Sequence, residues 1–416
     1  AYANMALTTL NGFLLLLFIT ESLAALNVVN AVADLTSRPL EGLITNIKDF
    51  NQLASENGYD AETHQVITND GYVLTMFRIP AGSKCAKKTP ILLMHDLLEA
   101  SENFILSGPD SPGFLLAKEC YDVWFGNARG NHNSRKHVEL NPDKNLKFWK
   151  FSVDEMGIYD VPAMVDYILD ATNTEKLIYI GFSQGAGAFF IMNSERSGYA
   201  DKISLFIGLA PATRQYYTKS VLYRTGTIAV NTAQKLLETA GIWEVLSRGM
   251  PIQTGASTFC QVKALAAILC SKGLSLVDSS HPGSITAETY KEVFQHDPAG
   301  TSIQNLAKYG QAMNNLKFVK FDYGSEHNAE VYGAPEPPEF DLGATTVPTV
   351  IFIGKSDHLV DTRDLDWAVE QLPNVLEYVK IEDPLWNHFD MAYSENWKGT
   401  IFDKMMTYLN KHHDVY

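Results

Sequence analysis

The sequence predicts an α/β protein, with a mostly parallel sheet covered by helices on both faces and one helical insertion. Three observations lead to this prediction. Short apolar runs bounded by turn residues indicate buried strands. Helical patterns stand between several of these runs, as strand–helix alternation requires. The stretch 213–315 interrupts the alternation and is rich in helix-like segments, which favours a cap inserted into the sheet domain.

The predicted strands are continuously apolar, which is typical of a parallel sheet buried on both faces. They lie at residues 91–94, 123–125, 177–180, 205–209, 349–353 and 376–379. Residues 160–169 carry apolar side chains at helical spacing and predict one of the covering helices. The predicted organisation is therefore a first part of the core at 34–212, a helical cap or lid at 213–315, and a second part of the core at 316–416.

Composition and charge restrict the partners. Of 416 residues, 46% are hydrophobic and 19% are charged, which is ordinary for a globular protein. The chain has 33 basic and 48 acidic residues and no basic run, so we expect no nucleic acid partner. The four cysteines lack zinc-finger spacing, and we expect no metal and no cofactor. The oligomeric state is not predicted.

The N-terminal residues suggest a targeting segment. An apolar run at 13–20 is too short to span a bilayer, and small-residue sites follow it. We expect a signal peptide over residues 1–33, cleaved near residue 25 or 33, and a secreted or lumenal location, lysosomal or extracellular. Because no Lys or Arg precedes the run, a buried N-terminal helix stays open as the alternative.

The sharpest local motif is Gly-Phe-Ser-Gln-Gly at 181–185. It follows the predicted strand 177–180 directly and precedes a stretch with helical character. A G-x-S-x-G sequence in this strand–turn–helix context is typical of a nucleophile elbow, with Ser183 as the nucleophile. The backbone N–H of Gln184, at the start of the helix, is then a candidate donor to an oxyanion. A glycine-flanked turn serine without chemistry is the alternative.

A serine hydroxyl needs a neutral imidazole to take its proton and a carboxylate to orient that imidazole. In this architecture the three residues follow the order Ser, Asp or Glu, His. Asp357 comes after the strand 349–353 and His388 after the strand 376–379. Both therefore lie at the same sheet edge as Ser183. We predict these three as a catalytic triad, with Asp361 as the alternative acid.

The loop after the strand 91–94 should supply a second oxyanion donor. Its sequence is His-Asp-Leu-Leu at 95–98, and the backbone N–H of Leu97 is the candidate. We expect His95, in the same loop, to be structural rather than catalytic.

Together these residues resemble the acid lipase family of α/β-hydrolases, which includes gastric and lysosomal acid lipases and insect relatives. The resemblance covers about residues 35–410. Besides the elbow, it rests on Asp-Gly-Tyr-Val-Leu at 70–74, His-Asp-Leu-Leu at 95–98, Trp-Phe-Gly-Asn-Ala-Arg-Gly-Asn at 124–131, Pro-Ala-Gly-Thr-Ser at 298–302 and Asn-His-Phe-Asp at 387–390.

This resemblance implies the α/β-hydrolase fold and hydrolysis of lipid carboxylic esters, of the triacylglycerol or steryl ester type, through an acyl-enzyme. It also implies transient contact with a lipid interface and a disulfide between Cys260 and Cys270. Cys85 and Cys120 are left unassigned. Apolar and aromatic residues of the predicted cap are candidates to line an acyl-chain groove: Tyr216, Tyr217, Leu222, Tyr223, Ile242, Trp243, Leu265 and Leu269.

Two positions depart from the family pattern. Asp96 stands where the family usually has glycine, and Phe182 where animal relatives usually have histidine. A carboxylate beside an oxyanion opposes the developing negative charge, and a weakened donor costs about 3 kcal/mol of barrier. Asp96 therefore motivates an alternative function, a catalytically weak lipid-binding or yolk-type storage protein derived from a lipase.

Overall fold

The computed structural model describes residues 47–83, 85, 89–248 and 266–412. The expected signal peptide at 1–33 lies outside these residues. Among the described helices, none has the length and apolar character needed to cross a bilayer.

A twisted eight-stranded sheet forms the centre of the described structure, with strand order β1-β2-β4-β3-β5-β6-β9-β10. Its strands are β1 (Glu62–Ile67), β2 (Val73–Ile79), β3 (Ile91–Met94), β4 (Val123–Gly126), β5 (Leu177–Phe182), β6 (Ile203–Leu209), β9 (Thr349–Ile353) and β10 (Val375–Lys380). A separate short pair consists of β7 (Glu244–Val245) and β8 (Thr301–Ser302).

The six predicted strands are confirmed, and they form the parallel part of the sheet from β4 to β10. The sequence did not predict β1 and β2, which add antiparallel strands at one edge. β1 is mostly exposed and polar, so it lacks the apolar run that marks a buried strand. The predicted α/β fold class is confirmed.

Helices cover the sheet, and several more lie among the described residues between β6 and β9. They are α1 (Phe50–Glu56), α2 (Pro112–Lys118), α3 (Val153–Glu155), α4 (Val161–Thr172), α5 (Gln184–Glu195), α6 (Val221–Thr239), α7 (Ala266–Val277), α8 (Ala287–His296), α9 (Ile303–Ala312), α10 (Ser325–Tyr332), α11 (Thr362–Val369), α12 (Asp390–Tyr393) and α13 (Asp403–His412). One π-helical turn at Met156–Asp160 joins α3 to α4.

The helix predicted at 160–169 corresponds to α4. Its apolar stripe of Val161, Met164, Val165 and Ile168 is buried, as helical spacing on one face requires. The helix ends at Asn173, which adopts a left-handed conformation (φ 52°). Asparagine tolerates that conformation better than most residues, so the helix stops where the sequence allows a reversal.

A disulfide joins Cys85, in the loop before β3, to Cys120, between α2 and β4. The sequence had left this pair unassigned. The predicted Cys260–Cys270 bridge falls partly outside the described residues, because Cys260 is not among them.

Helices α6 and α9 pack in direct backbone contact at Gly310. A Cβ at this position would lie 2.2 Å from the carbonyl oxygen of Thr227. That clash involves backbone and cannot be relieved by a change of rotamer, so the close crossing of the two helices requires glycine.

We expect Gly310→Ala to destabilise the protein by about 1–3 kcal/mol, because the added methyl group would clash with the backbone of α6 at Thr227. Gly226→Ala is the matched control in α6, where an added Cβ meets nothing within 4 Å. It should stabilise by about 0.5–1 kcal/mol, the helix propensity gain of alanine. Denaturant unfolding of both variants measures the difference, and equal stability would contradict the observed packing.

Candidate active site

Ser183 lies at the sharp turn between β5 and α5, with φ 47° and ψ −107°. A positive φ at a non-glycine residue costs about 1–3 kcal/mol and persists only where the surroundings enforce it. Here the Ser183 N–H donates to the carbonyl of Leu209 (2.8 Å), and the Ser183 carbonyl accepts from the N–H of Ala212 (3.0 Å). The end of β6 therefore holds the serine in its strained position.

The glycines of the motif allow backbone segments to meet at this turn. A Cβ at Gly185 would lie 2.3 Å from the Met94 carbonyl oxygen, and one at Gly181 would lie 2.6 Å from the Ala186 nitrogen. Helix α5 therefore begins in contact with the end of β3. This contact brings Ser183 next to the loop that follows β3.

His388 and Asp357 meet in the buried interior at the same sheet edge. His388 Nδ1 lies 2.7 Å from Asp357 Oδ2, and both residues are fully buried. The other carboxylate oxygen of Asp357 accepts from the N–H groups of Leu359 (2.9 Å) and Val360 (2.7 Å). The acid is thus fixed by its own loop and in turn orients the imidazole.

Asp361, the alternative acid, is engaged elsewhere. Its side chain caps α11 through the N–H of Arg363 and forms ion pairs with Arg363 and Lys219. These cations hold the pKa of Asp361 at about 2, against the opposing effect of its burial. Its contacts point to a role in helix capping.

The sequence did not single out Asp278, which follows α7. Its carboxylate accepts from the backbone N–H of His388 (2.6 Å) and from that of His358 (2.8 Å). It therefore ties together the loops after β9 and β10. Burial, together with repulsion from Asp357, raises the pKa of Asp278 to about 7. No motif marks this position, because a single aspartate after a helix is common.

Phe182 packs against the catalytic candidate His388. The two ring centroids are 4.9 Å apart, and Phe182 is fully buried. The phenyl ring therefore covers one face of the imidazole and keeps water from it.

His95 shapes the loop that carries Leu97. His95 Nε2 accepts from the Ala128 N–H (3.1 Å), and its Nδ1 lies 2.7 Å from the Asp96 carbonyl. Because the carbonyl can only accept, the network assigns the proton to Nδ1. Burial lowers the pKa of His95 to about 4, so the ring is neutral. These contacts agree with the structural role expected for His95.

Residues 124–131 pack against this loop and hold it in place. Arg129, which is buried, donates to Asp160 Oδ1 (2.8 Å) and to Asp70 Oδ2 (2.6 Å). Its guanidinium also lies over the Tyr72 ring, 3.9 Å from the centroid. A buried cation needs such complete pairing, and the network fixes the backbone at Ala128 that contacts His95.

The two N–H groups predicted as oxyanion donors point at one oxygen atom, which belongs to Asp96. The Leu97 N–H donates to Asp96 Oδ1 (2.5 Å), and the Gln184 N–H donates to the same atom (3.1 Å). Asp96 Oδ2 lies 3.2 Å from His388 Nε2. The Ser183 hydroxyl also forms a hydrogen bond with this carboxylate.

His388 consequently lies between two carboxylates. Burial alone would lower its pKa, but Asp357 and Asp96 hold the pKa of His388 well above its usual 6.5. Burial would raise the pKa of Asp96, yet hydrogen bonds from His388 and Ser183 hold it below 3.8. In this arrangement both carboxylates favour the protonated form of the His388 imidazole.

A cavity of about 250 Å³ opens beside Ser183 and His388. Its lining is predominantly apolar and includes Leu97, Leu98, Leu246, Leu274, Val277, Val293, Phe294, Leu359 and Phe389. Of the groove residues suggested by the sequence, Tyr223 belongs to the lining. Tyr216, Tyr217, Leu222, Ile242 and Trp243 are not among the described lining residues, and Leu265 and the side chain of Leu269 lie outside the described part of the chain.

Two acids in the cavity wall share hydrogen bonds with Tyr393. The tyrosine hydroxyl contacts Glu99 Oε1 (2.7 Å) and Asp297 Oδ2 (3.3 Å). Burial raises the pKa of Asp297 to about 8 and raises that of Glu99 well above 4.5. These shifts favour the neutral form of each acid, so this wall carries less charge than two free carboxylates would give it.

Comparison with known proteins first defines the class. Residues 50–108 match the family described as a partial alpha/beta-hydrolase lipase region, and residues 89–232 match the alpha/beta hydrolase fold. Among solved structures, a soluble variant of monoglyceride lipase from Saccharomyces cerevisiae aligns with a TM-score of 0.52 at 15% identity, covering 91% of this chain and 100% of that chain. The fold is that of the α/β-hydrolases.

Sequence relatives define the family. Lipase member K of Homo sapiens is 34% identical over 370 residues, covering 88% of this chain and 91% of the relative. Gastric triacylglycerol lipase of Bos taurus is 33% identical over 367 residues (86% and 90%), and Lipase 1 of Drosophila melanogaster is 32% identical over 363 residues (87% and 79%). The chain belongs to the acid lipase family, as the resemblance implied.

The charged contact between His388 and Asp96 has a direct spectroscopic test. We expect the pKa of His388, followed by NMR of its ring protons, to lie above 6.5. Asp96→Asn should lower it by about 1 to 3, because one of two attracting charges is removed. Asp110→Asn, at an exposed acid further along the same segment, should leave it unchanged. An unaltered pKa in Asp96→Asn would contradict the contact.

Proposed function

We propose that the chain is a serine hydrolase of lipid carboxylic esters, of the triacylglycerol or steryl ester type. Ser183, His388 and Asp357 are its catalytic triad, and the N–H groups of Leu97 and Gln184 are its oxyanion donors. The observation that carries this proposal is the 2.7 Å contact between His388 Nδ1 and Asp357 Oδ2. It lies beside a strained elbow serine that shares the same cavity.

The proposed reaction proceeds through an acyl-enzyme. Ser183 Oγ attacks the ester carbonyl while neutral His388 takes the hydroxyl proton at Nε2. The carbonyl electron pair moves to the oxygen, where Leu97 and Gln184 N–H groups stabilise it. Collapse breaks the ester C–O bond, and His388 gives its proton to the leaving alcohol. Water then repeats the sequence on the acyl-enzyme and releases the fatty acid.

Support for a lipid substrate comes from the apolar cavity and from the relatives. The lining offers side chains that would bury an acyl chain away from water. The relatives named above include a gastric triacylglycerol lipase.

The segment 213–315 is proposed as a cap over this site. Its helices contribute Leu274, Val293 and Tyr309 to the cavity wall. On the outside, Val221 is 74% exposed and Leu276 69% exposed. Exposed apolar side chains of this kind suit transient contact with a lipid surface, which we include in the proposal.

A secreted or lumenal location is also proposed. The Cys85–Cys120 disulfide supports it, because disulfides persist in oxidising compartments and are rare in the cytosol.

A second candidate function is a lipid-binding or storage protein with weak catalysis. The position of Asp96 favours it, since a carboxylate already takes both oxyanion donors and pairs with His388. Labelling with a fluorophosphonate probe discriminates between the two functions. Folded protein that remains unlabelled at Ser183, even at alkaline pH, would favour the storage function.

Ser183→Ala should reduce hydrolysis of a soluble medium-chain ester by about 10⁴-fold or more, since the nucleophile is lost. Ser204→Ala, at a half-buried serine in β6, should retain wild-type turnover. Undiminished turnover by Ser183→Ala would refute Ser183 as the nucleophile.

Asp357→Asn should lower kcat by about 10⁴-fold, because an amide at this position no longer holds the imidazole in its productive tautomer. Asp361→Asn is the matched control. Asparagine still caps a helix, so its kcat should be near that of wild type. If the larger loss occurred in Asp361→Asn, the triad assignment would be wrong.

A further inference from the structure

We propose that Asp96 is an internal ligand of the oxyanion site, which competes with the substrate carbonyl and limits the rate of ester hydrolysis. This inference rests on the proposed function and concerns the regulation of the same site. It goes beyond an unfavourable charge near the oxyanion, because the carboxylate takes the oxyanion position itself.

The geometry of Asp96 is that of a bound carboxylate product. Oδ1 lies 2.5 Å from the Leu97 nitrogen and 3.1 Å from the Gln184 nitrogen. The second distance is within the range that an oxyanion requires of its donors, and the first is slightly shorter. Oδ2 lies 3.2 Å from His388 Nε2, the atom that would activate water in the second half of the proposed reaction. A fatty acid leaving Ser183 would present its two oxygens to the same groups.

Occupation by Asp96 is favoured by its attachment to the same loop. The carboxylate precedes Leu97 by one residue, so its contact is intramolecular and loses no translational freedom, whereas an ester must bind from solution. An ester carbonyl is also neutral and accepts a weaker hydrogen bond than a carboxylate does. Substrate must therefore displace the stronger acceptor before an oxyanion can form.

The contact between Asp96 and His388 also makes the imidazole less available as a base. Proton transfer from Ser183 needs neutral His388, but the imidazole faces the carboxylates of Asp357 and Asp96. Its backbone N–H faces a third acid, Asp278. Removing Asp96 leaves the imidazole with its orienting acid and frees Nε2 for the serine.

Asp96 can leave the oxyanion site without unfolding the loop. It belongs to the wall of the 250 Å³ cavity, so rotation of its side chain would carry the carboxylate into that space. The ionisable groups that face Asp96, or respond to its charge, come from four elements packed around it. They are His388 from the loop after β10, His95 and Glu99 from its own loop, Tyr223 from α6 and Tyr309 from α9.

The test compares Asp96→Gly and Asp96→Asn with wild type and with Asp110→Asn in the full-length protein. The measurements are the second-order rate of fluorophosphonate labelling at Ser183 and kcat/KM for a soluble p-nitrophenyl ester, each followed against pH. We expect Asp96→Gly to increase both by on the order of 100-fold at neutral pH, the effect of restoring an oxyanion donor. Asp110→Asn should match wild type.

The pH profile separates this role from a merely structural one. Neutral His388 becomes available only above its pKa, and loss of Asp96 lowers that pKa. The acid limb of kcat/KM should therefore move to lower pH in Asp96→Gly and in Asp96→Asn. The asparagine variant retains the size of the side chain, so it keeps the test valid if the glycine variant fails to fold.

The outcomes distinguish the two proposals. Two results would show that Asp96 is not a competing ligand: equal labelling rates and the same acid limb of kcat/KM in wild type and both Asp96 variants, or slower labelling in the variants. The serine hydrolase proposal would stand in either case. If no variant labels or turns over ester, the proposed function fails and this inference fails with it. In the double variant Asp96→Gly with Ser183→Ala, the increase in ester hydrolysis expected for Asp96→Gly must be absent.

Discussion

The close approach of α5 to the end of β3 is the constraint on which the site depends. Only a glycine at 185 lets the first turn of α5 lie against the Met94 carbonyl. That contact brings the Gln184 N–H and the Leu97 N–H to the same Asp96 oxygen and sets Ser183 in the wall of the cavity. The two N–H groups come from different elements, α5 and the loop after β3, so neither element alone defines the point where they converge on Asp96 Oδ1. The cost is backbone strain at Ser183, which β6 enforces.

The charged groups next to the site are paired with one another, and these pairs restrict the conformation of the loop that carries Asp96. Arg129 is held by two carboxylates and an aromatic face, and the backbone of its loop orients His95. His95 in turn fixes the carbonyl of Asp96. The Asp96 side chain, which reaches the Leu97 and Gln184 N–H groups, thus extends from a backbone segment held by hydrogen bonds, so the fold sets its position.

Much of the architecture could be predicted from the sequence, because continuous apolar runs mark the parallel strands and catalytic candidates follow them in a fixed order. The antiparallel β1 escaped prediction since its residues are mostly exposed and polar. The sequence drew attention to the charge of Asp96, but the direction of its side chain depends on two loops meeting in space. Asp278 and the Cys85–Cys120 pair were missed for a similar reason: each joins segments whose proximity only the fold creates.

The hydrogen-bonded acids around Tyr393 have a consequence for the cavity at high pH. Asp297 keeps its proton up to about pH 8 because it is buried. Above that value it ionises, and a wall that had been compatible with a hydrocarbon chain acquires a fixed negative charge. An acyl chain bound in this cavity would therefore meet an uncharged wall at this point only while Asp297 holds its proton.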